Sequence, residues 1–171
     1  MRRARILTGA GLVLALGFCG TGAWTYAQAR TDDRLAYGRE RDEALADGRA
    51  AVAVLTTLDA STRQRAERGV RAWRAVSTGP LREELGRAGA ESGASARGTV
   101  TEAAVTALDP RTGTAKLIVT VRVEVTSAGS SRPAVDRKRL EAVLARTGEA
   151  EWKVRALSAV PLTAAEEGED R

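Results

Sequence analysis

From Ala115 to Val125 apolar and polar positions alternate without a break. Ala115, Leu117, Val119, Val121, Val123 and Val125 fall on one side, and Lys116, Ile118, Thr120, Arg122, Glu124 and Thr126 on the other. A period of two belongs to a strand with one buried and one mostly wet face. Before it, Thr99 to Leu108 reads as another strand, and Asp109-Pro110-Arg111-Thr112-Gly113 between them has the residues of a tight turn. Ser127 to Asp136 reads as a loop. Arg137 to Arg146 fits a helix or a strand; Leu140, Ala142 and Leu144 alternate, and the neighbouring strands favour a third strand. Gly148 marks a turn. Glu151 to Val160 predicts a last strand with Trp152, Val154 and Ala156 on one face, ended by Pro161.

The first half of the chain has a helical period instead. Tyr37, Ala44, Ala51, Leu55 and Leu58 make a weakly apolar stripe within Thr31–Leu58. Gly38 and Gly48 should weaken that helix by about 1 kcal/mol each relative to Ala. Ser61-Thr62-Arg63-Gln64 fits a capping box, and Ala66, Val70, Trp73 and Ser77 then follow one helical face. Thr78-Gly79-Pro80 stops that helix and opens a short one, in which Leu81 and Leu85 share the buried side. Residues Gly86 to Gly98 (GRAGAESGASARG) are small, polar and aperiodic, and read as a loop. Helices followed by about four antiparallel strands predict an α+β domain with helices on one face of a sheet.

The N-terminal stretch changes this picture. From Ile6 to Tyr26 runs an uncharged, apolar segment of about 21 residues, only moderately hydrophobic because of its glycines and threonines, which leaves cleavage as an alternative. As a helix this spans about 31 Å, close to the roughly 30 Å of bilayer hydrocarbon. Arg2, Arg3 and Arg5 precede it, and Trp24 and Tyr26 stand at its far end, where amphipathic rings favour the membrane interface. Ala27-Gln28-Ala29 fits a signal-peptidase site, but the run exceeds the roughly 7–15 residues of a signal h-region. Cys19 as a lipid attachment site is disfavoured by the bulky Phe18 before it. The preferred reading is an uncleaved anchor with its basic end in the cytoplasm and the rest of the chain outside. Gly11, Ala15, Cys19 and Ala23 recur every four residues and would let a second helix approach closely. The abundance of small residues in this segment accounts for them better. The expected organisation is an anchor over 1–29, a juxtamembrane helix over 30–58, the remainder of the α+β domain over 59–162 and an acidic disordered tail over 163–171.

Charge and composition narrow the chemistry. The net charge is +5, of which Arg2, Arg3 and Arg5 supply three; the remainder holds 24 basic and 22 acidic residues, well interspersed. That is a mixed, solvated surface and not a phosphate-tracking stripe, so no nucleic-acid partner is expected. The chain has no His, and Cys19 is its one Cys, so neither an internal disulfide nor a Cys/His metal site can form. With aromatics at 4% of residues, Trp73 and Trp152 are needed for the core before any pocket. Gly9 and Gly11 begin a GxG inside the apolar run, where no strand precedes them. The adjacent acids Asp32-Asp33 and Glu83-Glu84 diverge on a helix and read as solvated. Arg137-Lys138-Arg139 reads as an exposed strand start, with anionic headgroups as the functional alternative. No catalytic, cofactor-binding or metal-binding residue is assigned.

Several stretches resemble a known family. These are LTTLDASTRQ (Leu55–Gln64), STGPLREEL (Ser77–Leu85), the Val-rich strand and GEAEWKVRAL (Gly148–Leu157), together with the join of apolar segment to helix. The chain resembles the mammalian-cell-entry (Mce) associated membrane proteins of actinomycetes. That resemblance implies one membrane helix and an outer domain of the nuclear-transport-factor-2-like, or cystatin-like, type, a cone of two to three helices packed on a curved antiparallel sheet of about four strands. It implies an accessory role beside Mce-type lipid importers, with the lipid bilayer and transporter components as partners, and it carries over no catalytic residue. It leaves room for a homo-oligomer. The alternatives are a bitopic assembly subunit like that of type IV secretion channels, and a small-molecule enzyme or carrier using a cavity of the cone.

Overall fold

The alternation of Ala115–Val125 becomes the central strand of a four-stranded sheet. The computed structural model describes residues 33–127, 132–148 and 151–160. These form the helices α1 (Asp33–Leu55), α2 (Arg63–Ala75) and α3 (Gly79–Arg87), then the strands β1 (Ser95–Asp109), β2 (Thr114–Thr126), β3 (Ala134–Thr147) and β4 (Glu151–Ala159). The strands pair in chain order, β1-β2-β3-β4, each antiparallel to the next. The expected α+β class, with helices against one face of a four-stranded antiparallel sheet, is what the described residues adopt. The chain divides into two compact units, 1–40 and 41–171. The first contributes only the opening turns of α1 to the described residues, and the architecture that follows is that of the second.

Ala115, Leu117, Val119 and Val121 are buried, as are Leu140, Ala142 and Leu144 of β3 and Trp152 and Val154 of β4. The opposite positions of β2, Lys116, Ile118, Arg122 and Thr126, are exposed. One face of the sheet is therefore the core and the other meets solvent, the outcome expected of a period-two pattern. The turn between β1 and β2 forms where it was predicted. Asp109 Oδ1 accepts hydrogen bonds from the N–H of Arg111 at 2.9 Å and of Thr112 at 3.3 Å. Gly113 has φ +60°, a left-handed conformation that a Gly takes without steric cost.

Helix α1 crosses the buried face through Ala44, Ala51 and Val52. Gly48, expected only to weaken the helix, lies between them on that face. A Cβ at position 48 would stand 2.5 Å from Leu117 Cδ2 and 2.9 Å from Leu144 Cδ1. Its bareness lets the helix backbone approach β2 and β3 closely. Tyr37, expected in the same stripe, is exposed, and Leu58 lies beyond the helix, bridged to Ala96 of β1. Asp47 adds a polar tie by accepting the Trp152 backbone N–H at 3.1 Å.

Four boundaries differ from the sequence reading. The N-cap of α2 is Thr62, whose Oγ1 accepts from Arg65 N–H at 3.3 Å. The Ser61-to-Gln64 capping box does not form, because Asp59 engages Ser61 through its N–H at 3.1 Å and its hydroxyl at 2.6 Å. The loop expected over Gly86–Gly98 is shorter: α3 continues to Arg87, and β1 begins at Ser95. Ser95 Oγ accepts from Ala60 N–H at 3.0 Å, and Leu58 and Ala96 exchange backbone hydrogen bonds, so partners across space order a segment with no period of its own. The loop expected over Ser127–Asp136 also ends early, since β3 begins at Ala134 opposite Val125. In β4 the face changes partway. Val143 pairs with Ala156 but Leu144 with Val154, so Arg155 is a bulge residue. Leu157 instead of Ala156 then packs against the core, and Ala156 is exposed.

Candidate binding groove

The helices are linked through the last turn of α1. An α-helix leaves its final carbonyls without intrahelical partners. Here the Trp73 indole N–H of α2 reaches Val54 O at 2.8 Å and Thr57 O at 2.9 Å. Trp73 is half-buried by this contact, while Trp152 is in the core, where its indole N–H has no hydrogen-bond partner among the described residues. Trp152 packs in the core, as the scarcity of aromatics implied, whereas Trp73 lies outside the core cluster and ties α2 to the end of α1.

Beside that joint lies an open groove of about 700 Å³. It is lined by Ala53 and Val54 of α1, Thr57 and Asp59 of the connection, Arg65, Arg68, Gly69 and Ala72 of α2, and Gly98 of β1. The lining combines small and apolar residues with the charged Asp59, Arg65 and Arg68. Gly69 and Gly98 present bare backbone there; a Cβ at either would strike Leu58 or Thr56. Asp59 is fully engaged, taking the two Ser61 hydrogen bonds on Oδ1 and Arg65 Nη1 on Oδ2 at 3.0 Å. The Ser61 hydroxyl first, then the Ser61 N–H, with Arg65 behind them, lower its pKa below 3.8. Near neutral pH it is an ionised acceptor. It is poorly suited to donate or shuttle a proton, work that is best done by a group whose pKa lies near the operating pH. Arg68, three residues after Arg65, makes no hydrogen bond or ion pair with any described residue and stands exposed. A smaller groove of about 340 Å³ shares Thr57 and Asp59 and is flanked by Ser95, Arg97 and Glu124.

The residues assigned from sequence fall elsewhere. Arg2, Arg3, Arg5, Gly11, Ala15, Cys19, Ala23, Trp24 and Tyr26 all lie outside the described residues. Arg137, Lys138 and Arg139 are exposed in the first half of β3 but do not share a face. Arg137 pairs with Arg122 and Arg139 with Thr120 on the solvent face, whereas Lys138 is opposite Val121 and pairs with Asp136 at 3.4 Å. The cluster is thus split by the strand's own alternation. Glu83 and Glu84 are exposed on α3. Among the described residues no group of three or more His, Cys, Asp or Glu side chains is placed to hold a metal ion.

The groove leaves no period along the chain, because its residues come from three elements and the connection between two of them. The one local signal was Gly69, an interior glycine in the arginine-rich helix RQRAERGVRAWRA. No family model matches the chain, and neither a curated protein nor a solved structure was found to be similar to it.

Proposed function

We propose that the chain is a single-pass, membrane-anchored, non-enzymatic accessory protein, with its N-terminus in the cytoplasm and the domain after residue 30 outside the cell membrane. We assign it the task of assisting an Mce-type lipid import system. The observation that carries the anchor is the apolar run from Ile6 to Tyr26, long enough to span hydrocarbon and set between a basic end and interfacial aromatics. Among the described residues no helix is long and apolar enough to cross a membrane, so the span would be residues 6–26. In the groove the Asp59 carboxylate is held ionised by Ser61 and Arg65, a state suited to fixing the chain and not to proton transfer. Three helices on one face of a four-strand meander fit the nuclear-transport-factor-2-like cone that the family resemblance implies.

Intact mass of the protein from the membrane fraction tests the anchor: residues before Ala29 should be present. A species beginning at Arg30 and found in the medium would end this reading. Co-purification of the tagged full chain with Mce-type transporter components is the expected result for the assigned task, and their absence from a mild-detergent extract that retains the intact protein would remove it.

A further inference from the structure

We propose that the groove between α1, α2 and β1 binds a small apolar carboxylic acid, its body against Ala53, Val54 and Ala72 and its carboxylate on Arg68. The inference concerns residues 53–98 and stands whether or not the chain is anchored. Its volume of about 700 Å³ falls within the roughly 300–1,000 Å³ of small-molecule sites. The polar groups around it decide the class of ligand. An extended peptide would need free backbone donors and acceptors along one wall. The carbonyls of Val54 and Thr57 and both backbone groups of Gly98 are already used. Val54 O accepts Thr57 N–H at 3.1 Å as well as the Trp73 indole, and Thr57 O accepts the same indole. Gly98 N–H donates to Thr57 Oγ1 at 3.1 Å, and Gly98 O accepts the Thr57 hydroxyl at 3.4 Å. A ligand is left with apolar contact and side-chain charge.

The charge available is positive. Asp59 is paired with Arg65 and holds Ser61, which leaves Arg68 as the unpaired charge of the lining among the described residues. Arg68 has its whole guanidinium fork free of described partners. A planar fork matches the two oxygens of a carboxylate in a bidentate pair. A fork can pair two oxygens of a phosphate as well, but the apolar surface beside it suits a singly charged carboxylate on an apolar body.

The test is calorimetric titration of the full chain with octanoate and with the uncharged isostere octanamide, in buffer if the chain is released from the membrane and in nanodiscs corrected against empty ones if it is retained there. The expected result is saturable binding of octanoate, with the dissociation constant at least tenfold higher for octanamide. Arg68→Gln should raise the octanoate constant by a similar factor, and Ala72→Phe, which fills the groove from an exposed position, should abolish binding. Absence of saturable octanoate binding would overturn the proposal. So would equal binding of the acid and the amide, or unchanged octanoate binding by either variant. The acid–amide comparison uses the unaltered protein, so it decides the matter even where a variant fails to fold.

Discussion

At the scale of single residues, two glycines of α1 carry opposite expectations although their sequence settings look alike. A Cβ at Gly38 meets nothing within 4 Å, whereas one at Gly48 meets Leu117 Cδ2 at 2.5 Å and Leu144 Cδ1 at 2.9 Å. Helix propensity favours Ala at either position by about 1 kcal/mol. At position 48 both struck side chains are fully buried, and overpacking a well-packed core costs about 1–3 kcal/mol. Gly38→Ala should therefore stabilise the helix, and Gly48→Val should destabilise the domain by about 2 kcal/mol or more. Denaturant midpoints of the two variants give the comparison, and equal shifts of the same sign would contradict the close approach of α1 to the sheet.

At the scale of elements, the register of β2 and the bulge of β4 each make a pair of neighbouring substitutions diverge. Val121 is fully buried, and Thr120 beside it sits on the solvent face opposite Arg139. Val121→Asp must desolvate a carboxylate or protonate it, at a cost of several kcal/mol. Thr120→Asp should be mild. In β4 strict alternation from Trp152 and Val154 would make Ala156 the sensitive position. The extra residue at Arg155 reverses this, so Leu157→Asp should lower the melting temperature well below that of Ala156→Asp. The opposite ranking would mean that the strand continues without a bulge. The β2 register was legible in the sequence because one strand buried on one face writes its pattern into consecutive residues. The bulge was not, because Arg155 is displaced by its pairing with β3 and not by its own side chain.

At the scale of the whole molecule, acid should weaken the fold through exposed aspartates. Asp59 and Asp109 both have pKa values lowered from 3.8, Asp59 chiefly by the Ser61 hydroxyl and Asp109 chiefly by the Thr112 side chain. A carboxylate that is more acidic folded than unfolded contributes stability above its unfolded pKa. That contribution is lost as pH falls through the folded value. Stability should therefore fall as pH drops below about 4, and the double variant Asp59→Asn, Asp109→Asn should flatten that part of the curve while remaining folded at pH 7. A thermal-melt series across the acid range checks this, and an unchanged slope in the variant would show that these two groups are not linked to folding. Asp59 also joins the fold to the groove, since it orders Ser61 and Arg65 where the chain passes from α1 to α2.

Local pattern along the chain specifies the class of fold, the tight turn at Asp109–Gly113 and the buried and wet faces of β2, while Leu140, Ala142 and Leu144 alternate in a segment that neighbouring strands were needed to assign. Each is written in residues adjacent along the chain, where steric and solvation preferences act locally. The sequence also holds the long apolar segment Ile6–Tyr26, on which the proposed anchor depends. The tertiary structure alone decided that Gly48 is a contact and not a weakness, that Thr62 caps α2 because Asp59 takes Ser61, and that residues 95–98 become strand through Leu58, Ala60 and Thr57. It alone assembled the groove, because Val54, Asp59, Arg68 and Gly98 are brought together by packing between elements. The physical reason is the same in each case. A partner distant along the chain supplies the hydrogen bond, the close contact or the missing wall, and no local period can register it.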